Sequence, residues 1–259
     1  TLAYDHPVNP DIVSDIKASA SWTPMEPEEN PFAFMSVAEI KAMMGTKLEI
    51  PTYNDEDLPV AADIPANFDG RTDYSDSKVV HPIRNQERCG SCWAFGATEA
   101  LTDRFELEKK EDVVLSPQHL VSCDRGNFGC NGGYLNVAWN FMKNTGVASD
   151  TCYPYTSGQG DSGRCKSECA DGSAFDLHYS QGTTTTGDVK KTQTTIMNDG
   201  PVEAAFQVYE DFMNYKSGVY HHTSGRLLGG HAIKAIGWGT EDGMDYWLMA
   251  NSWGTSWGD

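Results

Sequence analysis

The run Gln86-Glu87-Arg88-Cys89-Gly90-Ser91-Cys92-Trp93-Ala94-Phe95 constrains this chain more than any other stretch. No proline interrupts Trp93 to Lys110, and Trp93, Ala97, Ala100, Leu101 and Phe105 recur at helical spacing. The run therefore predicts an amphipathic helix with Cys92 in its first turn. A helix N-terminus stabilises a thiolate and lowers its pKa, which makes Cys92 the candidate nucleophile.

Seven cysteines is an odd number, which in an oxidised protein means paired bridges plus one free thiol. Cys92 is the candidate for the free one. Two other arrangements use the same residues. In one, reduced thiols or a zinc site begin at Cys89-Gly90-Ser91-Cys92; in the other, Cys89 and Cys92 are the redox pair of a thiol-disulfide oxidoreductase. The spacings Cys123 to Cys130 and Cys165 to Cys169 supply no second Cys-x-x-Cys, so neither a metal site nor a cofactor is expected.

With 259 residues, 39% of them hydrophobic and 11% aromatic, the chain has an ordinary globular composition, long enough for two modest domains or one large one. No apolar run approaches the roughly 20 residues of a membrane helix. The amino end, Thr1 to Pro7, shows no basic region followed by an apolar core, so no signal peptide is visible. The net charge of -18 argues against nucleic acid or an anionic membrane as partner. Residues 1–63 hold 12 acidic and 3 basic residues, a concentration that marks off a separate amino-terminal segment.

That segment is punctuated by proline and has two short helical candidates, Pro10–Ala20 and Ser36–Met44. Ser36 and Glu39 have capping-box spacing, and Gly45 is a stop signal. It has too little apolar surface for a core of its own and must lie on something else. Asn54 to Ala62 is polar enough to be a proteolytic site. Beyond the central helix, Ser116-Pro117 gives an N-cap and first-turn proline for a helix ending near Cys123. A further helix is predicted from about Tyr134 to Asn144, stopped by Gly146. From Pro201 the period changes to alternation, with strands expected at Val202–Val208, Ala232–Ile236 and Tyr246–Ala250. Helices first and strands later read as an α+β protein with a helical and a sheet-rich half.

The cysteine run matches the C-G-[SA]-C-[WY] signature, and Cys130-Asn131-Gly132-Gly133, Gly229-Gly230-His231-Ala232-Ile233 and Asn251-Ser252-Trp253-Gly254 follow in order. On these motifs the chain resembles the papain-like cysteine proteases, and among them the cathepsin B-like group. His231 falls inside the roughly 130–150-residue spacing from the cysteine and Asn251 slightly beyond it. The resemblance implies a two-domain papain-like fold, a helical left half and a sheet or barrel-like right half with the cleft between them, preceded by a propeptide. It implies Cys92 as nucleophile, His231 as its proton partner, Asn251 orienting the imidazole with Trp253 shielding that bond, and Gln86 in the oxyanion hole. Loss of one such donor typically costs roughly 3–4 kcal/mol of barrier. It further implies that Gly132 and Gly133 hydrogen-bond a substrate as an added strand. Gly230 joins them in the substrate cleft, and Tyr134, Leu135 and Ala232 line the pocket for the residue before the scissile bond. The implied bridges are Cys89–Cys130, Cys123–Cys165 and Cys152–Cys169. His6-Pro7, Trp22 and Met43-Met44-Gly45-Thr46 match the propeptide pattern, which implies that residues 1–62 run backwards through the cleft with Met44 and Gly45 near Cys92. The peptidase domain would be 63–259, its helical half about 75–175 and its sheet-rich half about 176–259 with 63–74, beginning in mature form near Asp63 or Ile64.

The departures from the family pattern carry their own expectations. Glu87 stands where the family usually has glycine. Thr156 to Gly163 is too short for the cathepsin B occluding loop and lacks its histidines, so mainly endopeptidase action is expected, and His221-His222 reads as an exposed strand end. The chain stops at Asp259 where relatives continue through further strands, an apparently truncated end expected to lower stability. The expected partners are peptide and protein substrates, the protein's own propeptide and cystatin-like inhibitors, acting on a monomer in a lysosome-like or vacuolar compartment or after secretion. The alternative is a catalytically impaired homologue that binds rather than cleaves.

Overall fold

The computed structural model describes residues 5–74 and 78–259. The first four residues, and residue 75 where the helical half was expected to begin, lie outside them. Helix α1 (Pro10–Ser19) is capped by Asn9, whose side chain accepts the Ile12 N–H at 3.0 Å, with Pro10 at its first position. Strand β1 (Thr23–Pro24) follows, and then α2 (Val37–Met43), whose predicted capping box is complete: Ser36 Oγ accepts the Glu39 N–H and the Glu39 carboxylate accepts the Ser36 N–H. An extended stretch leads to β2 (Phe68–Asp69) and the single turn α3 (Gly70–Asp73).

The helical half holds α4 (Cys92–Lys109), α5 (Pro117–Cys123) and α6 (Leu135–Asn144). Its core joins Trp93, Ala97, Leu101 and Phe105 of α4 to Leu115, Leu120, Val121, Ala138, Met142 and Val147. The expectation of an amphipathic α4 is only half met, because Cys92 to Asp103 is buried on every side. One face packs on α5 and α6 and the other on the sheet, so Thr98, Glu99, Thr102 and Asp103 are enclosed as well. Cys89–Cys130, Cys123–Cys165 and Cys152–Cys169 are bridged, and Cys92 is the free thiol. With Cys89 bridged, no Cys89–Cys92 redox pair exists.

The other half begins with α7 (Val189–Asp199) and builds an antiparallel sheet from β3 (Val202–Tyr209), β5 (Leu227–Glu241), β6 (Met244–Ala250) and β2. The long β5 is its spine: β3 pairs with its first part, β6 with its second, and β2 with Gly237 and Trp238. Strand β4 (Tyr215–Ser217) pairs instead with β1, tying the amino-terminal segment to this half. His221-His222 is not a strand end but part of the loop between β4 and β5. There Asp211, fully buried, accepts the Tyr220 hydroxyl, the His222 ring and the N–H groups of Thr223 and Ser224.

The amino-terminal segment shares a core with the sheet-rich half rather than owning one. Val8, Phe32, Ile40, Met43 and Met44 are buried against Val208, Phe212, Met213, Leu228, Trp253 and Trp257. Trp22, 3% exposed, packs on Tyr215 and Tyr220 and donates its indole N–H to the His221 carbonyl at 2.9 Å. Removing a buried tryptophan costs roughly 3–5 kcal/mol. Trp22→Ala should therefore loosen the segment, checked by its cleavage with a non-specific protease at a dose that leaves the parent chain whole.

Candidate active site

Cys92 opens α4 directly after Ser91, held by the Cys89–Cys130 bridge and by the Gly90 N–H on the Cys130 carbonyl at 3.0 Å. His231 lies within β5 and Asn251 just beyond the end of β6. His231 Nε2 and Asn251 Oδ1 are 2.8 Å apart, and the same oxygen accepts the Ser252 N–H at 2.8 Å. A carbonyl oxygen only accepts, so the proton of the neutral ring sits on Nε2 and Nδ1 keeps a lone pair. Nδ1 has no hydrogen-bond partner among the described residues. Trp253 lies against the imidazole with ring centroids 4.7 Å apart.

Gln86 is fully buried. Its Oε1 accepts the Ser252 hydroxyl at 2.8 Å, and its Nε2 donates to the carbonyls of Cys89 at 2.9 Å and Met43 at 3.0 Å. Ser252 thus aims the amide, a role the sequence reading missed although the residue stands beside Asn251 in the quoted motif.

The cleft between the halves is filled by the amino-terminal segment. Gly45 O accepts the Gly133 N–H at 2.8 Å, Lys47 N–H donates to Gly133 O at 2.9 Å, and Thr46 N–H donates to Gly230 O at 3.1 Å. The Thr46 hydroxyl lies 3.2 Å from Cys92 Sγ. Gly45 lies against Gly90 and Met44 against Gly229, while the Thr46 hydroxyl faces the thiol, a contact no sequence pattern displays. Gly45 is glycine for a steric reason: a Cβ there would lie 1.9 Å from the Gly90 carbonyl oxygen. Gly132 contributes shape, since a Cβ on it would meet the Gly45 oxygen at 2.6 Å. Tyr134 and Leu135 start α6 just past Gly133, and neither is hydrogen-bonded to the segment among the described residues.

Burial sets the protonation of the pair. It pushes the Cys92 thiol up, opposed by the Thr46 hydroxyl and by backbone N–H groups of Ala232, Gly45 and Trp93. Burial also pushes His231 down to about 4, against the pull of Asn251. Burial thus favours the neutral form of both groups. Among the described residues no cluster of histidine, cysteine or carboxylate side chains could hold a metal, and no helix is long and apolar enough to cross a membrane.

A thiol at a helix N-terminus and a histidine held by an amide are the parts of a cysteine-nucleophile hydrolase. Residues 64–259 match the model of the papain family cysteine proteases. The chain belongs to that family. It is 40% identical over 230 residues to cathepsin B of Dictyostelium discoideum, covering 82% of this chain and 72% of that protein. It is 44% identical over 207 residues to cathepsin B-like CP3 of Giardia intestinalis, covering 77% and 68%. The structure superposes on procathepsin B S9 from Trypanosoma congolense with a TM-score of 0.87 at 27% identity, covering 97% of this chain and 90% of that one. The protein is a cathepsin B-like cysteine endopeptidase in zymogen form.

Glu87, which replaces the usual glycine, adopts φ 53°, a left-handed conformation costing a residue with a Cβ roughly 1–2 kcal/mol. Its carboxylate lies against Gly158 and 3.4 Å from Gln159 Nε2. Glu87→Gly should raise stability by about 1 kcal/mol, or roughly 2–4 °C in Tm for a protein of this size, measured by scanning calorimetry.

Proposed function

We propose that residues 1–62 are a propeptide that inhibits a peptidase domain spanning 63–259, in which Cys92, His231, Asn251 and Gln86 perform catalysis. The observation that carries this reading is the backbone of Met43 to Lys47 laid through the cleft, with its hydroxyl on Cys92 and its carbonyl on Gln86. In the uncovered enzyme the thiol proton passes to His231 Nδ1. The thiolate attacks the scissile carbonyl carbon, and Gln86 Nε2 donates to the developing oxyanion together with the Cys92 N–H. His231 returns the proton to the leaving amine, and water then releases the acyl group from sulfur with the same imidazole as base. Gly133 and Gly230 supply the strand-like pairing that orients the substrate, and Ala232, Tyr134 and Leu135 line the neighbouring pocket.

The segment escapes cleavage because it runs the wrong way. Thr46 pairs in parallel with Gly133, so the thiol meets the Thr46 hydroxyl and the Gly45 N–H rather than a carbonyl carbon. The Met43 carbonyl that takes the glutamine amide also accepts the Gly45 N–H at 2.9 Å, closing a tight turn. Proteins that bind this cleft in the same covering manner, of the cystatin type, are the inhibitors it would accept, and peptides and proteins its substrates. A monomer in an acidic lysosome-like or vacuolar compartment, or a secreted enzyme, suits a cover that acid releases.

In the docked form burial pushes His231 down to about 4 from its ordinary 6.5. Release that exposes the ring lets it take up a proton that the docked form refuses, so docking should weaken as pH falls from about 6.5 towards 4. Glu39 and Asp55 act at lower pH. The Ser36 N–H and hydroxyl, then Arg88, hold the Glu39 carboxyl low, and the Thr186 hydroxyl, then Lys191, do the same for Asp55. The docking they stabilise is present above the ordinary carboxylate range and is lost as pH falls through their depressed values.

The purified chain should be inactive towards an internally quenched peptide at pH 7 and become active after incubation near pH 4. Equal activity in both states would sink the proposal. Cys92→Ala should lose turnover altogether while keeping its unfolding transition, and residual activity would exclude the assigned nucleophile.

A further inference from the structure

Arg88 is the one cation on the wall between Gln86 and Cys92, and its ion pair is made with the amino-terminal segment. Its Nη1 lies 3.1 Å from Glu39 Oε1. Glu39 is held for this purpose from the other side, since its Oε2 accepts the Ser36 N–H at 2.7 Å and hydroxyl at 2.8 Å. Among the described residues no other carboxylate forms an ion pair with Arg88. The adjacent Glu87 turns its own carboxylate to Gly158 and Gln159, and the Arg88 N–H is fixed on the Gly158 carbonyl at 2.9 Å. When the segment leaves, a guanidinium fixed in place at its backbone loses its counter-ion at the edge of the cleft.

The path of the segment tells which edge. Followed along the chain, it passes Arg88 at Glu39, Gln86 at Met43, Cys92 at Thr46 and Gly133 at Lys47. A substrate that pairs with Gly133 before its scissile bond runs the opposite way, so its leaving-group side lies towards Arg88. Glu39 is one helical turn from Met43, about 5–6 Å, a span that an extended chain covers in about two residues.

We propose that Arg88 is a specificity-determining residue that selects a carboxylate about two residues beyond the scissile bond, and that Glu39 occupies this subsite in the zymogen. The inference rests on the protease reading above. The carboxylate is either an acidic side chain or the terminal carboxylate of a short substrate. A guanidinium suits both, because its planar fork pairs with carboxylate geometry.

The test uses the acid-activated full chain at pH 6 with internally quenched peptides that differ only at the second residue after the cleaved bond. Glu, Gln and Lys are compared in amidated peptides, and one further peptide ends there with a free carboxylate. The parent enzyme should prefer Glu over Lys in kcat/KM by roughly two- to fivefold, the scale of a half-exposed ion pair. The preference should vanish in Arg88→Ala, invert in Arg88→Glu, persist in part in Arg88→Lys, and fade in high salt. Preference confined to the free-carboxylate peptide assigns the subsite to chain ends, and preference among the amidated peptides assigns it to side chains. Equal Glu to Lys ratios in the parent and Arg88→Ala enzymes, together with an equal ratio of free-carboxylate to amidated peptide in the two, overturn the proposal while leaving the protease reading intact. Failure to cleave any of the peptides overturns both.

Discussion

The ion pair between Asp103 and Lys234 is the joint on which the site depends. Asp103 lies about three turns down α4 from Cys92, and Lys234 three residues after His231 on β5; both are essentially inaccessible. Asp103 also accepts the His81 N–H and ring. Breaking a buried pair by removing one partner costs roughly 3–5 kcal/mol, so the helix that presents the thiol and the strand that presents the imidazole are held together by a contact that tolerates little slack. The cleft is the open end of this clamp.

The segment that fills the cleft needs both jaws of the clamp. Gly45 and Lys47 pair with Gly133 of the helical half, and Thr46 pairs with Gly230 of β5. Backbone hydrogen bonds of this kind carry no side-chain code, so what the segment recognises is the width of the cleft and the absence of side chains on its walls. Affinity is supplied elsewhere, by Trp22 among Tyr215 and Tyr220 and by Ile40 and Met43 against Val208, Phe212 and Trp253. The division separates the part that blocks chemistry from the part that holds the block in place.

Much of this was legible in the sequence because its signals are local. The capping box at Ser36 and Glu39, the Ser116-Pro117 helix start and the alternation after Pro201 are written in neighbouring residues, and α2, α5 and β3 follow them. The disulfide pairing came through family resemblance, since spacing alone left a metal site and a redox pair open. What escaped were contacts between distant residues. The full burial of α4 depends on β5 lying across it, the turn at His221-His222 depends on Asp211, and Arg88 gains its meaning only once Glu39 is laid beside it. Glu87 departs from the family's glycine in the sequence itself, but the positive φ that explains that glycine is a property of the backbone.

The interior between the halves also fixes the direction in which pH acts. Burial raises Glu99 to about 7, and Glu203 is raised well above its ordinary value although the Trp139 indole N–H at 2.7 Å pulls it down. Each carboxylate keeps one buried oxygen without a partner, an arrangement that suits a protonated acid better than a charge. Between the ordinary carboxylate pKa and about 7, the folded chain holds a proton on Glu99 that the unfolded chain has lost, so the stability from this group falls as pH rises through that window. Burial moves His231 the other way, down to about 4, so the folded chain refuses a proton there that the unfolded chain takes up as pH falls below 6.5, and the stability from this group falls with pH. Burial at the seam between α4 and β5 therefore acts with opposite sign on the two groups, favouring the folded chain in acid through Glu99 and disfavouring it through His231.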